Sequence, residues 1–305
     1  MMKHICLLIV LIYTLNSCKS DSLENINNTS TLEEEVIKLS PNRPNLNISI
    51  LIDLSDRINP KKYPNPAMNY FERDLGYIHS IVQSFEWHVR NKRSLKINDH
   101  IQLYIDPEPA DNDLNEKINS LNITFTKNNA KRELIKRTST LYDSISNGIY
   151  KSAIKDGNYI GSDIWGFFKT NVKDFCIQKD YRNILIILTD GYLYHRDSKL
   201  KEKNLSSYLT PQDIRRFKLN KSDWKDRIQN QGFGFIAARN DLEELEVLVL
   251  GINPDAKNPY EQDVIIQYWS DWLTKMNVKG FELKTANLPA NMDKIIKEYI
   301  LNKSI

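Results

Sequence analysis

Three stretches of the chain are almost uninterrupted aliphatic runs. Residues 46–53 read Leu-Asn-Ile-Ser-Ile-Leu-Ile-Asp, residues 183–190 read Asn-Ile-Leu-Ile-Ile-Leu-Thr-Asp, and residues 245–252 read Leu-Glu-Val-Leu-Val-Leu-Gly-Ile. Short apolar runs bounded by polar clusters predict strands buried on both faces. Weaker runs at 101–105 and 280–283 predict two more strands. Between the strands the apolar period changes. Phe71, Leu75, Ile78, Val82, Phe85 and Val89 recur every three or four residues, which predicts an amphipathic helix over 70–89. Residues 130–154, 163–175, 263–276 and 292–301 follow the same rule. Strands that alternate with helices and lack a polar face imply an α/β fold: a doubly wound, mostly parallel sheet with helices on both faces. Two polar stretches interrupt this pattern as insertions, at 107–128 and at 195–235. In the second, Thr210 followed by Pro211 predicts a capped helix start.

The N-terminal pattern differs. Lys3 and His4 precede an apolar stretch over 5–15, which falls short of the roughly 20 residues that a membrane-spanning helix needs. It has the form of a removable leader. The leader ends in Leu15-Asn16-Ser17-Cys18, which resembles a bacterial lipobox. That resemblance implies cleavage after residue 17 and acylation of Cys18 by palmitate-like chains, which hold the protein at a membrane. Lys19, where inner-membrane lipoproteins carry Asp, points to the outer membrane of the cell envelope. Residues 18–45 are rich in Ser, Asn, Thr and Glu and contain Pro41 and Pro44, the composition of a flexible tether. A short helix near 32–39 fits within it.

Composition narrows the function classes. With 41% hydrophobic and 27% charged residues in 305, the chain has material for a sizeable core and is not a disordered polymer. The 42 basic and 39 acidic residues give a net charge of +3, too balanced for binding driven by phosphate neutralisation, so no nucleic-acid partner is expected. The basic cluster at Lys199, Lys201, Lys203, Arg215, Arg216 and Lys218 is interleaved with Glu202 and Asp213 and reads as a solvated insertion. Cys6 lies in the leader and Cys18 directly after it, which leaves Cys176 alone in the folded part as a buried thiol.

Candidate chemistry sits at the strand ends. Two of the three strong runs end in a carboxylate, Asp53 and Asp190. In α/β sheets ligands bind beyond the carboxyl ends of strands. Two carboxylates brought to one edge repel unless a cation bridges them, and hard oxygen donors suit Mg²⁺ first, with Mn²⁺ or Ca²⁺ as alternatives. Ile52-Asp53-Leu54-Ser55-Asp56-Arg57 and Leu188-Thr189-Asp190-Gly191 resemble the two ends of the metal-ion-dependent adhesion site of von Willebrand factor A-type domains. The resemblance implies an A-type domain over 46–303. It also implies a cation held by Asp53, Ser55, Ser162 and Asp190, with an open position for an acidic residue of a protein partner. Asp56, Arg57, Asp163 and Thr189 would surround these ligands. Two positions depart from the motif: Arg57 stands where a second Ser belongs, and Ser162 replaces a Thr.

The reading favoured here is a non-enzymatic, membrane-anchored binding protein. A metal-dependent phosphoester hydrolase and a structural lipoprotein with a decayed metal site remain alternatives. The chain has no Walker-type loop, no G-x-S-x-G elbow and no His-rich metal motif, and only 10 glycines. His195 follows Asp190 within reach of it, while His79, His88 and His100 show no ligand spacing. Trp269 and Trp272 share a helix face and read as core.

Overall fold

The computed structural model describes residues 43–157, 159 and 161–302. The leader, Cys18 and nearly all of the tether lie outside the described residues. The three aliphatic runs become β1 (Asn45–Ile52), β4 (Tyr181–Leu188) and β8 (Leu245–Ile252). With β2 (Asn98–Tyr104), β3 (Ile123–Thr126) and β9 (Gly280–Thr285) they form one six-stranded sheet in the order β3-β2-β1-β4-β8-β9. Ile52 pairs with Leu188, and Leu188 with Leu250, so the carboxyl ends of the three central strands lie level.

Successive side chains of a strand point to opposite faces, and the central strands bury apolar side chains on both, beside the buried Asn47 and Ser49 of β1 and Asn183 of β4. Ile48, Ile50, Ile52, Ile184 and Ile186 face α1 (Tyr70–Arg90), α3 (Arg132–Asp156) and α9 (Pro289–Asn302). Leu51, Leu185, Ile187, Val247 and Val249 face α4 (Ile164–Thr170), α5 (Val172–Cys176) and α8 (Glu261–Lys275). Trp269 and Trp272 are fully buried in this second core. Trp269 donates to the carbonyl of Gly191 at 2.9 Å, which ties α8 to the loop after β4. Cys176 is buried as well, and burial pushes its thiol up to about 12.

The expectation of a doubly wound, mostly parallel sheet is corrected to a mixed α/β fold. β3 pairs antiparallel with β2, Asn98 opposite Thr126 and Ile101 opposite Ile123. The segment between β2 and β3 carries only α2 (Asn112–Asn119), in which Ile118 is the one buried residue. Only Leu114 and Ile118 of this helix pack against the core, and after it the chain turns back to close the edge with an antiparallel strand. A second, three-stranded sheet is built from β5 (Lys201–Glu202), β6 (Leu205–Ser206) and β7 (Gly234–Phe235), with β5 antiparallel to β6. The 195–235 stretch also holds α6 (Pro211–Arg216), started by a Thr210–Asp213 capping box, and α7 (Trp224–Gln231). The helix expected over 163–175 is two helices that meet at Asn171, whose side-chain Nδ2 donates to Asp106 Oδ2 at 2.8 Å.

Candidate functional site

Asp53 is the first residue after β1, and its amide donates to the Leu188 carbonyl at 3.0 Å. That bond extends the β1–β4 ladder by one step and brings Asp53 beside Thr189. The Asp53 carboxylate is almost fully buried and held from two sides. Its Oδ1 accepts from the Ser55 amide at 2.9 Å, and its Oδ2 accepts from the Thr189 hydroxyl at 2.9 Å. Across the gap, Asp190 Oδ1 accepts from the Tyr192 amide at 3.1 Å. The Asp190 backbone carbonyl takes the Asn253 amide at 2.9 Å. Gly191 makes this turn at φ 95°, a left-handed conformation that side chains disfavour. An added Cβ there would also lie 2.7 Å from Ile265 Cγ2.

These side chains face one cavity of about 710 Å³, lined by Asp53, Ser55, Arg57, Ser162 and Asp190 among others. All four ligands expected from the sequence therefore border the same space. Ser55 opens the 3₁₀ turn Asp56–Ile58 but makes no side-chain cap bond. Ser162 sits in the loop before α4 and donates to the Asp106 carbonyl at a long 3.4 Å. Burial, followed by the nearby Asp53 charge, raises the Asp190 carboxyl from its ordinary 3.8 to about 7. Both the burial and the neighbouring carboxylate favour its protonated form.

The four residues expected around the ligands take different parts. Thr189 lies buried beneath Asp53 and orients it. Asp56 is at the cavity rim and pairs with Lys62. Asp163 does not line the cavity. It caps α4 through the Gly166 amide at 2.8 Å and accepts from the Ser198 hydroxyl at 2.6 Å. His195 turns to Asp163, 3.5 Å away, and is also absent from the cavity wall.

Arg57 is 6% exposed and points down towards the core. Its Nη2 donates to Asp74 Oδ2 at 2.6 Å and to the Leu188 carbonyl at 3.0 Å, while Nε lies 3.6 Å from Asp53 Oδ2. Burial opposes its charge, but Asp74, Asp53, Tyr150 and Asp190 outweigh it and hold the guanidinium well above its ordinary value. Tyr150 of α3 completes the cluster by donating to Asp74 Oδ2 at 2.9 Å. The sequence reading missed Asp74 and Tyr150. The signal for Asp74 was present: it lies three residues after Phe71 and four before Ile78, so it is a carboxylate on the apolar stripe of α1.

Three carboxylates, Asp53, Asp74 and Asp190, thus face a single guanidinium. The Ser55 hydroxyl and one Asp190 oxygen, both bordering the cavity, have no partner among the described residues. Uncommitted hard oxygens beside surplus negative charge fit a divalent cation. No group of three or more His, Cys, Asp or Glu side chains assembles a metal site among the described residues, so a cation here would need serine hydroxyls and water for its remaining bonds.

No protein-family model matches the chain, and no curated protein is found to be similar to it. Among solved structures, a single-residue variant of the PilB minor pilin from Streptococcus sanguinis aligns with a TM-score of 0.38 and 9% identity, over 87% of this chain and 64% of that one. The pilus adhesin SpaC from Lactobacillus rhamnosus GG aligns with a TM-score of 0.37 and 12% identity, over 85% of this chain and 31% of that one. No helix of the described residues is long and apolar enough to cross a membrane.

Proposed function

We propose that this chain is a binding protein, anchored through acylated Cys18 in the cell envelope, that captures an acidic residue of a protein partner through a divalent cation. Asp53, Ser55, Ser162 and Asp190 hold the cation, Mg²⁺ in the first instance, either directly or through water. The site follows the pattern of metal-ion-dependent adhesion sites at three strand-end and loop positions, with Arg57 in place of the second serine. The observation that carries the reading is the buried Asp53 and the half-buried Asp190 at one cavity, next to a serine hydroxyl that caps nothing. A cation neutralises the pair and leaves a coordination position towards the cavity, where a carboxylate of the partner completes the shell. The outer membrane is the expected anchor site, since Lys19 follows Cys18.

A thermal-shift screen with Mg²⁺, Mn²⁺ and Ca²⁺ tests this reading. At least one cation raises the melting midpoint of the chain, because a ligand that binds only the folded state stabilises it. The shift is lost in Asp190→Ala. Equal midpoints with and without all three cations would mean that Arg57 already serves as the counter-charge and that the site takes no metal.

A further inference from the structure

A second cleft, of about 580 Å³, lies between one face of β2, the helix α2 and the end of α5. It shares no lining residue with the Asp53 cavity. Its floor follows from the sequence of β2. Asp99, Ile101 and Leu103 alternate with His100, Gln102 and Tyr104, so one face of this strand is polar, and His100 meets Asn47 of the neighbouring β1 at 2.7 Å. Thr124 of β3 stands opposite His100 and continues that face.

The walls combine amide, aromatic and acidic groups with the aliphatic side chains of Leu103, Ile105 and Ile118 and the ring of Pro109. Five carboxamides border the space: Gln102, Asn115, Asn119, Asn122 and Gln178. Three are fixed by partners, since Gln102 accepts from Tyr104, Asn115 donates to the Pro109 carbonyl, and Asn122 meets His100 at 2.8 Å. The side chains of Asn119 and Gln178 bond to no described residue. Tyr104 and Phe175 form an aromatic wall, their rings stacked at 5.5 Å and 8°, with Phe175 44% exposed. Glu108 and Asp174 add carboxylates. His100 is the one lining side chain able to carry positive charge, and its burial lowers its pKa.

We propose that this cleft binds a neutral saccharide against Phe175, with the free amides of Asn119 and Gln178 as its polar contacts. A sugar hydroxyl both donates and accepts, as a carboxamide does, and a carboxylate accepts from hydroxyls. The C–H face of a pyranose packs on the electron-rich face of an aromatic ring. A phosphate or sulfate ester would meet Glu108 and Asp174 with no cation to receive it. A purely apolar ligand would leave the amides buried without partners, a loss that such pockets avoid.

The test presents the labelled whole chain to an array of neutral glycans, with spermine as the cationic comparison, and titrates the strongest hit calorimetrically. At least one neutral glycan binds. Its affinity falls about tenfold or more in Phe175→Ala, and it falls in Asn119→Ala, as expected when a central contact is lost. EDTA leaves it unchanged, which separates this cleft from the cation site. Both substituted residues are exposed, so unchanged melting midpoints certify the fold of the variants. An array on which no neutral glycan retains the chain overturns the proposal. So does glycan binding that survives both substitutions, or binding of spermine in preference to every glycan.

Discussion

Arg57 and Asp74 meet at 2.6 Å where neither reaches water, their side chains 6% and 2% exposed. A buried pair of this kind adds little by existing, because desolvation offsets attraction, but removing one partner strands the other. Arg57→Ala should therefore destabilise the protein by about 3–5 kcal/mol in urea unfolding. A loss below about 1 kcal/mol would place Arg57 outside the buried network. At the residue scale the two candidate carboxylates were legible because strand ends announce them: an Asp that closes an aliphatic run cannot stay in the core unpaired. Asp53 and Asp190 followed from that logic, whereas Ser55 and Ser162 were expected only through the resemblance to the adhesion-site motif, Ser162 being chosen for the glycine and helix start around it. Arg57 was read as a defect in a motif. Its partnership with Asp74 and Tyr150 joins three elements distant in sequence, which no local pattern reveals.

Elements with a strong period were readable to within two residues at most ends. The helix expected over 70–89 spans Tyr70–Arg90, and the strand expected over 245–252 spans Leu245–Ile252. The elements that escaped have little apolar material. β3 is four residues long with one buried side chain, β5, β6 and β7 have two residues each, and α2 buries only Ile118. Because β3 went unseen, so did the antiparallel edge that makes the sheet mixed. The loop after β4 is the element on which the site depends most. Gly191 combines φ 95° with contact against Ile265 of α8, so Gly191→Ala meets both backbone strain and a steric clash. It should lower stability by about 1–3 kcal/mol and weaken cation binding together, since Asp190 precedes it. Intact cation affinity in a destabilised Gly191→Ala protein would separate the loop from the site.

At the scale of the molecule, the proposed anchor and the proposed binding site fall in different parts of the chain. The anchor depends on Cys18 and lies outside the described residues, so it is tested by fractionation. Wild-type protein should partition with membranes and be released by detergent, whereas Cys18→Ala should appear in the soluble fraction. Membrane retention of Cys18→Ala would contradict the lipid anchor. The folded part answers to pH through Asp190. In the cation-free protein this carboxyl holds its proton to about pH 7, whereas its ordinary value is 3.8. Its contribution to stability is thus complete below about pH 4 and drains away as pH rises through 7. A bound cation reverses that trend, because it requires the ionised carboxylate.

Calorimetric titration of the chain with Mg²⁺ at pH 8 and at pH 6 tests the central claim most directly. The account predicts saturable one-site binding at pH 8, weaker at pH 6 by about tenfold for the one proton displaced, and absent in Asp190→Ala. No heat of binding at pH 8, or binding that Asp190→Ala leaves intact, would contradict it.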